Sequence, residues 1–308
     1  MYFLGVDIGG TKTAAGIIDD QGRVIVQSRK ATPASAGGTV VLETAIALAS
    51  SLLDDFDGEI TAVGIGAGGQ IDSETGTVVS ATDLLPDWAG QAVGPAFSCV
   101  LSLPAFVEND VNALALGEYR FGAAREVEQF AYLALGTGVG GAFVQNGHPL
   151  RGAHWAGGEF GHMIISIDNN ARLDHGGHKG TLEAYASGHG LIETWREVTG
   201  DRTPVTGEEI AAYAEEDDGG PANLVVAQTG QYLGLGLVTI VSLFDPDLIV
   251  IGGGLAALGD RMLEPARKTL RERALAGPSA CPVMVSALGA ESSVIGAAAV
   301  AMTALQIV

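Results

Sequence analysis

Residues 2–19 read YFLGVDIGGTKTAAGIID, and residues 130–144 read FAYLALGTGVGGAFV. Each stretch is a short apolar run, a glycine-rich turn and a second apolar run. Asp19-Asp20-Gln21-Gly22 follows the first as a turn, and Asn146-Gly147 follows the second as a hairpin signal. Arg23–Arg29 then alternates as a strand does. Strand, glycine turn, strand, turn therefore occurs twice, about 130 residues apart, as expected of two related domains.

Gly136, Gly138 and Gly141 satisfy G-x-G-x-x-G, a dinucleotide-binding pattern when a helix opens at the last glycine. Here Ala142-Phe143-Val144 and Asn146-Gly147 read as a second strand and a hairpin turn, so that context fails. Two glycine hairpins facing each other would instead present backbone N–H groups to a triphosphate from both sides. Asp7, beside the first turn, is placed to hold Mg²⁺ through water. Thr11 or Thr137 could bond a phosphate oxygen. Ordinary hairpins are the alternative for either turn taken alone.

Working outward, Thr39–Leu53 has helical spacing, Ile60–Gly66 and Ala105–Val107 read as buried strands, and Val111–Phe121 reads as a helix. Thr206 with Glu209 forms a capping box for an acidic surface helix. Leu248–Ile251 is a strand running into Gly252-Gly253-Gly254, with a helix expected from about Leu255. Ser292–Leu305 reads as a terminal helix. Ala222–Phe244 lacks charge, but Asn223, Gln228, Thr229 and Gln231 interrupt it, and glycines at 230, 234 and 236 suggest close helix packing in a core. No membrane span is expected.

Composition narrows the function classes. The chain has 308 residues, 47% of them hydrophobic and 17% charged, which excludes a long disordered protein. Acidic residues number 36 against 16 basic, a formal net charge of −20 that disfavours nucleic acid and anionic membrane as partners. A phosphate site must then rely on backbone N–H groups, helix N-termini and a metal ion. Cys99 and Cys281 are the only cysteines, which suits a reducing cytoplasm, and the N-terminus lacks the pattern of a signal peptide.

With these residues in view, the sequence resembles the ROK family (repressors, open reading frames and sugar kinases) of the actin-like ATPase fold. Gly5–Lys12 is similar to the family's first phosphate motif and Leu135–Gly141 to its second. GIGAGGQID at 64–72 is similar to a loop closing one side of the sugar pocket, and Leu248–Gly254 to an adenosine-side glycine loop. Glu108-Asn109-Asp110, Gly158–His162 and Leu182–Gly188 are similar to its sugar-site motifs. The resemblance implies an α/β protein of two actin-like (ribonuclease H-like) ATPase domains with an interdomain cleft. The expected divisions are 1–115 plus 292–308 for the first domain and 116–291 for the second.

It further implies an ATP- and Mg²⁺-dependent hexose kinase, glucokinase-like, with the glucose 6-hydroxyl as favoured acceptor. Fructose or an N-acetylated hexosamine is the alternative acceptor, and polyphosphate stays open as donor. Asp110 would be the catalytic base, with Gly68, Asn109, Glu159, His162 and Glu183 on the sugar. Gly9, Gly10, Thr11, Lys12, Gly136, Thr137, Gly138, Gly140, Gly253 and Gly254 would hold the nucleotide and its phosphates, with Asp7 on the metal. The chemistry asks for such a set, because phosphoryl transfer needs positioning, charge neutralisation and an acceptor for the hydroxyl proton. The other role open to Asp110 is N-cap of the helix behind it. A non-catalytic sugar sensor is the different-class alternative. A DNA-binding regulator is disfavoured, because the first phosphate motif begins at Gly5 and leaves no room for a helix-turn-helix ahead of it. A cytoplasmic homodimer or homotetramer is the expected state.

One departure stands out. The resemblance implies a zinc site made by His162 with three cysteines, but those cysteine positions are Asp174, Gly176 and Thr181 here. His162, Asp174, His175 and His178 are the weak substitute ligands, and the expectation is that structural zinc is absent.

Overall fold

The computed structural model describes residues 1–82 and 84–307. In chain order its elements are β1 (Tyr2–Ile8), β2 (Lys12–Asp19), β3 (Val24–Ala31), α1 (Gly38–Asp54), β4 (Ile60–Ala67), β5 (Gln70–Asp72) and β6 (Thr77–Ser80). Then come α2 (Val93–Leu101), β7 (Ala105–Asn109), α3 (Asp110–Phe121), β8 (Gln129–Leu135), β9 (Val139–Gln145) and β10 (His148–Pro149). The remainder holds α4 (Glu183–Ala186), α5 (Gly188–Thr199), α6 (Gly207–Glu216), α7 (Pro221–Phe244), β11 (Leu248–Gly252), α8 (Asp260–Arg273), β12 (Val283–Val285) and α9 (Ser292–Ala304).

Two five-stranded sheets carry the fold, in the orders β3-β2-β1-β4-β7 and β10-β9-β8-β11-β12. Both orders are third, second, first, fourth, fifth by appearance, so the sequence duplication is a duplication of topology. In the first sheet β2 lies antiparallel to β1, while β4 and β7 lie parallel, pairing Asp7 with Gly66 and Ala67 with Asn109. Leu4, Val6 and Ile8 pack with Ile17, Leu48, Ile65, Trp88 and Phe97 on one face. Phe3, Ile18 and Ala62 meet Val294, Ala298 and Met302 of α9 on the other. Glycine brings that helix close: a Cβ on Gly5 would run into the carbonyl of Val294, and one on Gly64 into that of Ala297.

The chain divides into two compact units. The first comprises Met1–Glu128, Phe143–Gly157 and Ala287–Val308, and the second Gln129–Ala142 and Gly158–Ser286. These bounds differ from a split at 115/116 and 291/292, for a physical reason. α3 is one helix that runs on to Phe121, and the Phe121 ring lies over Gly22, where even a Cβ would have no room. The hairpin after β9 likewise sets Gly147 against the Tyr119 ring.

Most expected elements lie where periodicity puts them, including α1, β4, β7, α3 and α9. The Thr206–Glu209 capping box forms in full at the head of α6. The helix expected from about Leu255 is instead a 3₁₀ turn over Gly254–Leu258, with α8 opening at Asp260. Gly253 (φ +84°) and Gly259 (φ +57°) bracket that turn and delay the helix. Among the described residues α7 alone is long and apolar enough to cross a membrane, and 56% of its apolar window is buried inside the fold. Gly230 and Gly234 let α8 approach it to backbone distance.

Candidate active site

In the first unit the site grows from the C-terminal ends of parallel strands, where α/β sheets collect their ligands. Asp7 ends β1 one residue before the last, Gly66 lies beside it on β4, and Glu108 lies beside Gly66 on β7. A Cβ on Gly66 would sit 3.6 Å from the Asp110 Cα and 3.8 Å from an Asp7 carboxylate oxygen. The bare backbone of Gly66 thus separates the two aspartates. Burial pushes Asp7 up to about 6, with the Ser293 hydroxyl and Lys12 pulling the other way. A carboxylate of that kind, partly out of water and beside a glycine turn, gains from a divalent cation nearby, so Asp7 fits a water-mediated Mg²⁺ ligand.

Asp110 opens α3, but the N-cap is Asn109, whose side-chain oxygen accepts from the N–H groups of Val111 (2.9 Å) and Asn112 (3.1 Å). Asn109 also donates through Nδ2 to the Gly69 carbonyl at 3.0 Å, tying the head of α3 to the 68–69 loop. Gly68 faces Asp110, since a Cβ there would lie 3.9 Å from its Oδ2, and its carbonyl accepts from the Trp88 indole at 3.0 Å. Behind them Glu108 is buried. It accepts from the Asn109 N–H and Asn112 Nδ2 (both 3.0 Å) and from Arg151 Nε at 2.8 Å. Arg151 escaped the sequence reading; the available signal was a rare cation a few residues past the second glycine hairpin. Gly9, Gly10, Thr11 and Lys12 form the β1–β2 turn, closed by Gly9 N–H to the Lys12 carbonyl (3.1 Å) and braced by the Thr32 hydroxyl on the Gly9 carbonyl (2.7 Å).

In the second unit, the turn Gly136-Thr137-Gly138 closes through a hydrogen bond from Gly136 N–H to the Gly138 carbonyl at 2.9 Å. The first amide of α5, Gly188, donates to the Gly136 carbonyl at 2.8 Å. Glu183 accepts from the Val139 N–H at 3.0 Å, and its carboxylate lies so close over Gly138 that a Cβ there would collide with it. Gly140 continues along β9. Gly253 backs onto Leu135, where a side chain would collide with the backbone, so the second glycine loop seats on the strand that feeds the first. Gly136, Thr137, Gly188 and Gly254 open into a cavity of about 820 Å³ walled by Ile192, Val205, Leu255 and Leu258. His175, His189, Glu208, Glu215 and Arg261 supply its polar lining. Sequence reasoning missed the α5 and α6 side of this cavity, which has no motif of its own.

Glu159 precedes and His162 ends a 3₁₀ turn, Phe160–His162. Burial raises the Glu159 carboxyl and Glu183 raises it further, while His162 lowers it. Glu159, His162 and Glu183 are thus electrostatic neighbours.

His162, Asp174 and His178 each turn a ligand atom inward, all within 4.8 Å of one another, while His175 lies apart, 3.7 Å from Glu183. Burial would raise Asp174, yet the His178 N–H, the Thr181 hydroxyl and the His178 imidazole hold it below the usual carboxylate range. Its oxygens are already engaged, by the His178 N–H at 2.8 Å and the Thr181 hydroxyl at 3.0 Å. A structural zinc site is closed and four-coordinate. Three donors, two of them on exposed imidazoles, do not fit it, and Gly176 and Thr181 add no fourth.

The sequence profile of the ROK family matches residues 3–304. A glucokinase of Streptomyces coelicolor is 34% identical over 315 residues, covering 96% of each chain. An N-acetyl-D-glucosamine kinase of Citrobacter koseri is 33% identical over 264 residues, covering 83% of this chain and 84% of the relative. Among solved structures, a ROK family glucokinase from Streptomyces griseus in complex with glucose and AMPPNP superposes with a TM-score of 0.80 at 32% identity. It covers 97% of this chain and 98% of that one.

Proposed function

The chain belongs to the ROK family and is a sugar kinase of two actin-like domains, and from that premise we propose that it transfers the γ-phosphoryl group of ATP to the 6-hydroxyl of glucose. The observation that carries the reading is the placement of Asp110 across Gly66 from Asp7, at the ends of β1 and β7, the parallel strands on either side of β4. Asp110 accepts the proton of the attacking hydroxyl, and its own helix start holds it in place. Asp7 would hold Mg²⁺ through water, and the bound ion neutralises charge on the phosphates. Gly9–Lys12 and Gly136–Gly138 offer backbone N–H groups to phosphate oxygens, with Thr11 and Thr137 as hydroxyl donors. Gly253 and Gly254 lie on the nucleoside side.

Gly68, Asn109, Glu159, His162 and Glu183 would position the sugar. The apolar walls around the 820 Å³ cavity suit a nucleoside better than a bare polyphosphate, which supports ATP as the donor. The Citrobacter koseri relative supports an N-acetylated hexosamine as second acceptor. A homodimer or homotetramer is the proposed state, read by light scattering.

The test is ADP release with Mg²⁺-ATP across glucose, mannose, fructose, N-acetylglucosamine and N-acetylmannosamine. Turnover on glucose well above the rest supports the proposal, and turnover on an N-acetylated sugar alone replaces it with the second reading. A folded chain that turns over none of the five overturns both.

A further inference from the structure

The loop between Met163 and Leu182 lacks the donors for a closed metal site, yet the segment it leads into carries Glu183 and the first turn of α5. Something else must hold that corner, and Arg172 is built to do so. Its side chain is only 9% exposed. Nε and Nη2 donate to the two carboxylate oxygens of Glu197 at 3.0 and 2.7 Å, a bidentate pair. Nη1 donates to the Gly190 carbonyl and to the Thr194 hydroxyl, both at 3.0 Å. The guanidinium carbon lies 4.7 Å from the Tyr185 ring centre and 5.5 Å from that of Tyr232. The backbone N–H of Arg172 donates to the Tyr185 hydroxyl at 3.1 Å. One side chain therefore binds the first turns of α5 and stacks on the aromatic residue of α4.

The partners lead directly to the site. Tyr185 is two residues beyond Glu183, whose carboxylate accepts from Val139, and Gly190 is two beyond Gly188, whose N–H donates to Gly136. We propose that Arg172 is a positioning residue that holds the α4–α5 corner against the phosphate turn and so sets both Glu183 and the head of α5. The proposal rests on the reading of Glu183 as a sugar contact and of Gly136–Gly138 as a phosphate turn. Only a planar fork of fixed donors serves all these partners at once; a lysine ammonium keeps the charge but not the geometry.

The experiment compares wild type with Arg172→Lys and, as a milder cut, Glu197→Gln. Melting temperature, KM and kcat for sugar and Mg²⁺-ATP, and calorimetric binding of AMPPNP are measured on each. In folded Arg172→Lys, KM for the sugar and the dissociation constant for AMPPNP each rise tenfold or more while kcat changes less than threefold. Glu197→Gln moves the same constants by a few-fold, and the double variant is no worse than Arg172→Lys alone. Unchanged constants in folded Arg172→Lys overturn the proposal, as does a loss of activity that only tracks the folded fraction. If Arg172→Lys does not fold, Glu197→Gln decides: wild-type constants there overturn it. A wild type that binds no AMPPNP overturns the phosphate-turn reading itself, an outcome separate from the other three.

Discussion

The two units hold their carboxylates by different means. In the first, Asp7 and Asp110 stand at the ends of β1 and β7 with Gly66 of β4 between them, so strand register and a capped helix start fix their separation. In the second, Glu159 precedes a three-residue 3₁₀ turn and Glu183 opens a four-residue helix. Elements that short cannot hold a side chain by themselves. For Glu183, the hydrogen bond from the Val139 N–H and the Arg172 network around α4 and α5 do it instead. A site held by backbone pairing tolerates loss of a neighbouring side chain, whereas one held by side chains loosens when any of them is cut.

That contrast can be broken at several points. The largest effect is expected from Asp110→Asn, which removes the proton acceptor without disturbing the Asn109 cap. Turnover falls on the order of 10³-fold, within the range for a general base, while calorimetry still finds sugar bound. Loss of sugar binding along with turnover would show that Asp110 is held in place by more than its helix.

Asp7→Asn should lower Mg²⁺-ATP turnover about 100-fold, a few kcal/mol of transition-state stabilisation, and yet raise the melting temperature. The sign follows from its titration. Asp7 holds its proton up to about 6, above the ordinary carboxylate value, so the fold binds that proton more tightly than the unfolded chain does. The stabilisation is present below the ordinary value and is lost as pH rises through about 6. The ionised carboxylate therefore costs stability at neutral pH, on the order of 1–2 kcal/mol once its partial exposure is allowed for, and asparagine relieves it. Wild-type turnover should accordingly drop as pH falls through about 6. A pH profile flat to 5 would remove Asp7 from the metal-holding role.

In the second unit, Thr181→Val leaves one oxygen of the buried Asp174 carboxylate without its donor, at a cost of about 1–3 kcal/mol. Sugar KM should rise several-fold with kcat nearly unchanged, read by steady-state kinetics alongside thermal melts. If the sugar KM stays put, Glu183 is held independently of the loop. The smallest expected effect is none: dialysis of the nucleotide-free protein against a chelator shifts the melting temperature by less than about 1 °C, and elemental analysis finds no stoichiometric zinc. A closed structural zinc contributes folding free energy outright, so a large drop would mean that the exposed imidazoles close on an ion after all.

The paired glycine hairpins, the strands feeding them and the helix behind Asp110 were legible in the sequence because each is a local signal. Alternating or apolar runs mark strands, glycine marks the turns, and the capping box at Thr206 and Glu209 declares a helix start. The delayed start of α8 was not legible, because positive φ at Gly253 and Gly259 is a property of the folded backbone. Arg151 beneath Glu108 was invisible for a related reason: 43 residues separate the partners, and neither neighbourhood names the other.

The sequence by itself thus determined the duplicated architecture, the two glycine turns and the identity of the chemical groups, since these depend on residue types at short spacing. Only the tertiary structure decided that Asn109 rather than Asp110 caps α3, where the unit boundaries run, and which side chains wall the cavity beside Gly136. It also decided how a loop without its cysteines is held, by Arg172 on Glu197 and Thr181 on Asp174. Each of those outcomes depends on groups distant in sequence reaching hydrogen-bonding distance, and a pattern of neighbours along the chain carries no record of that.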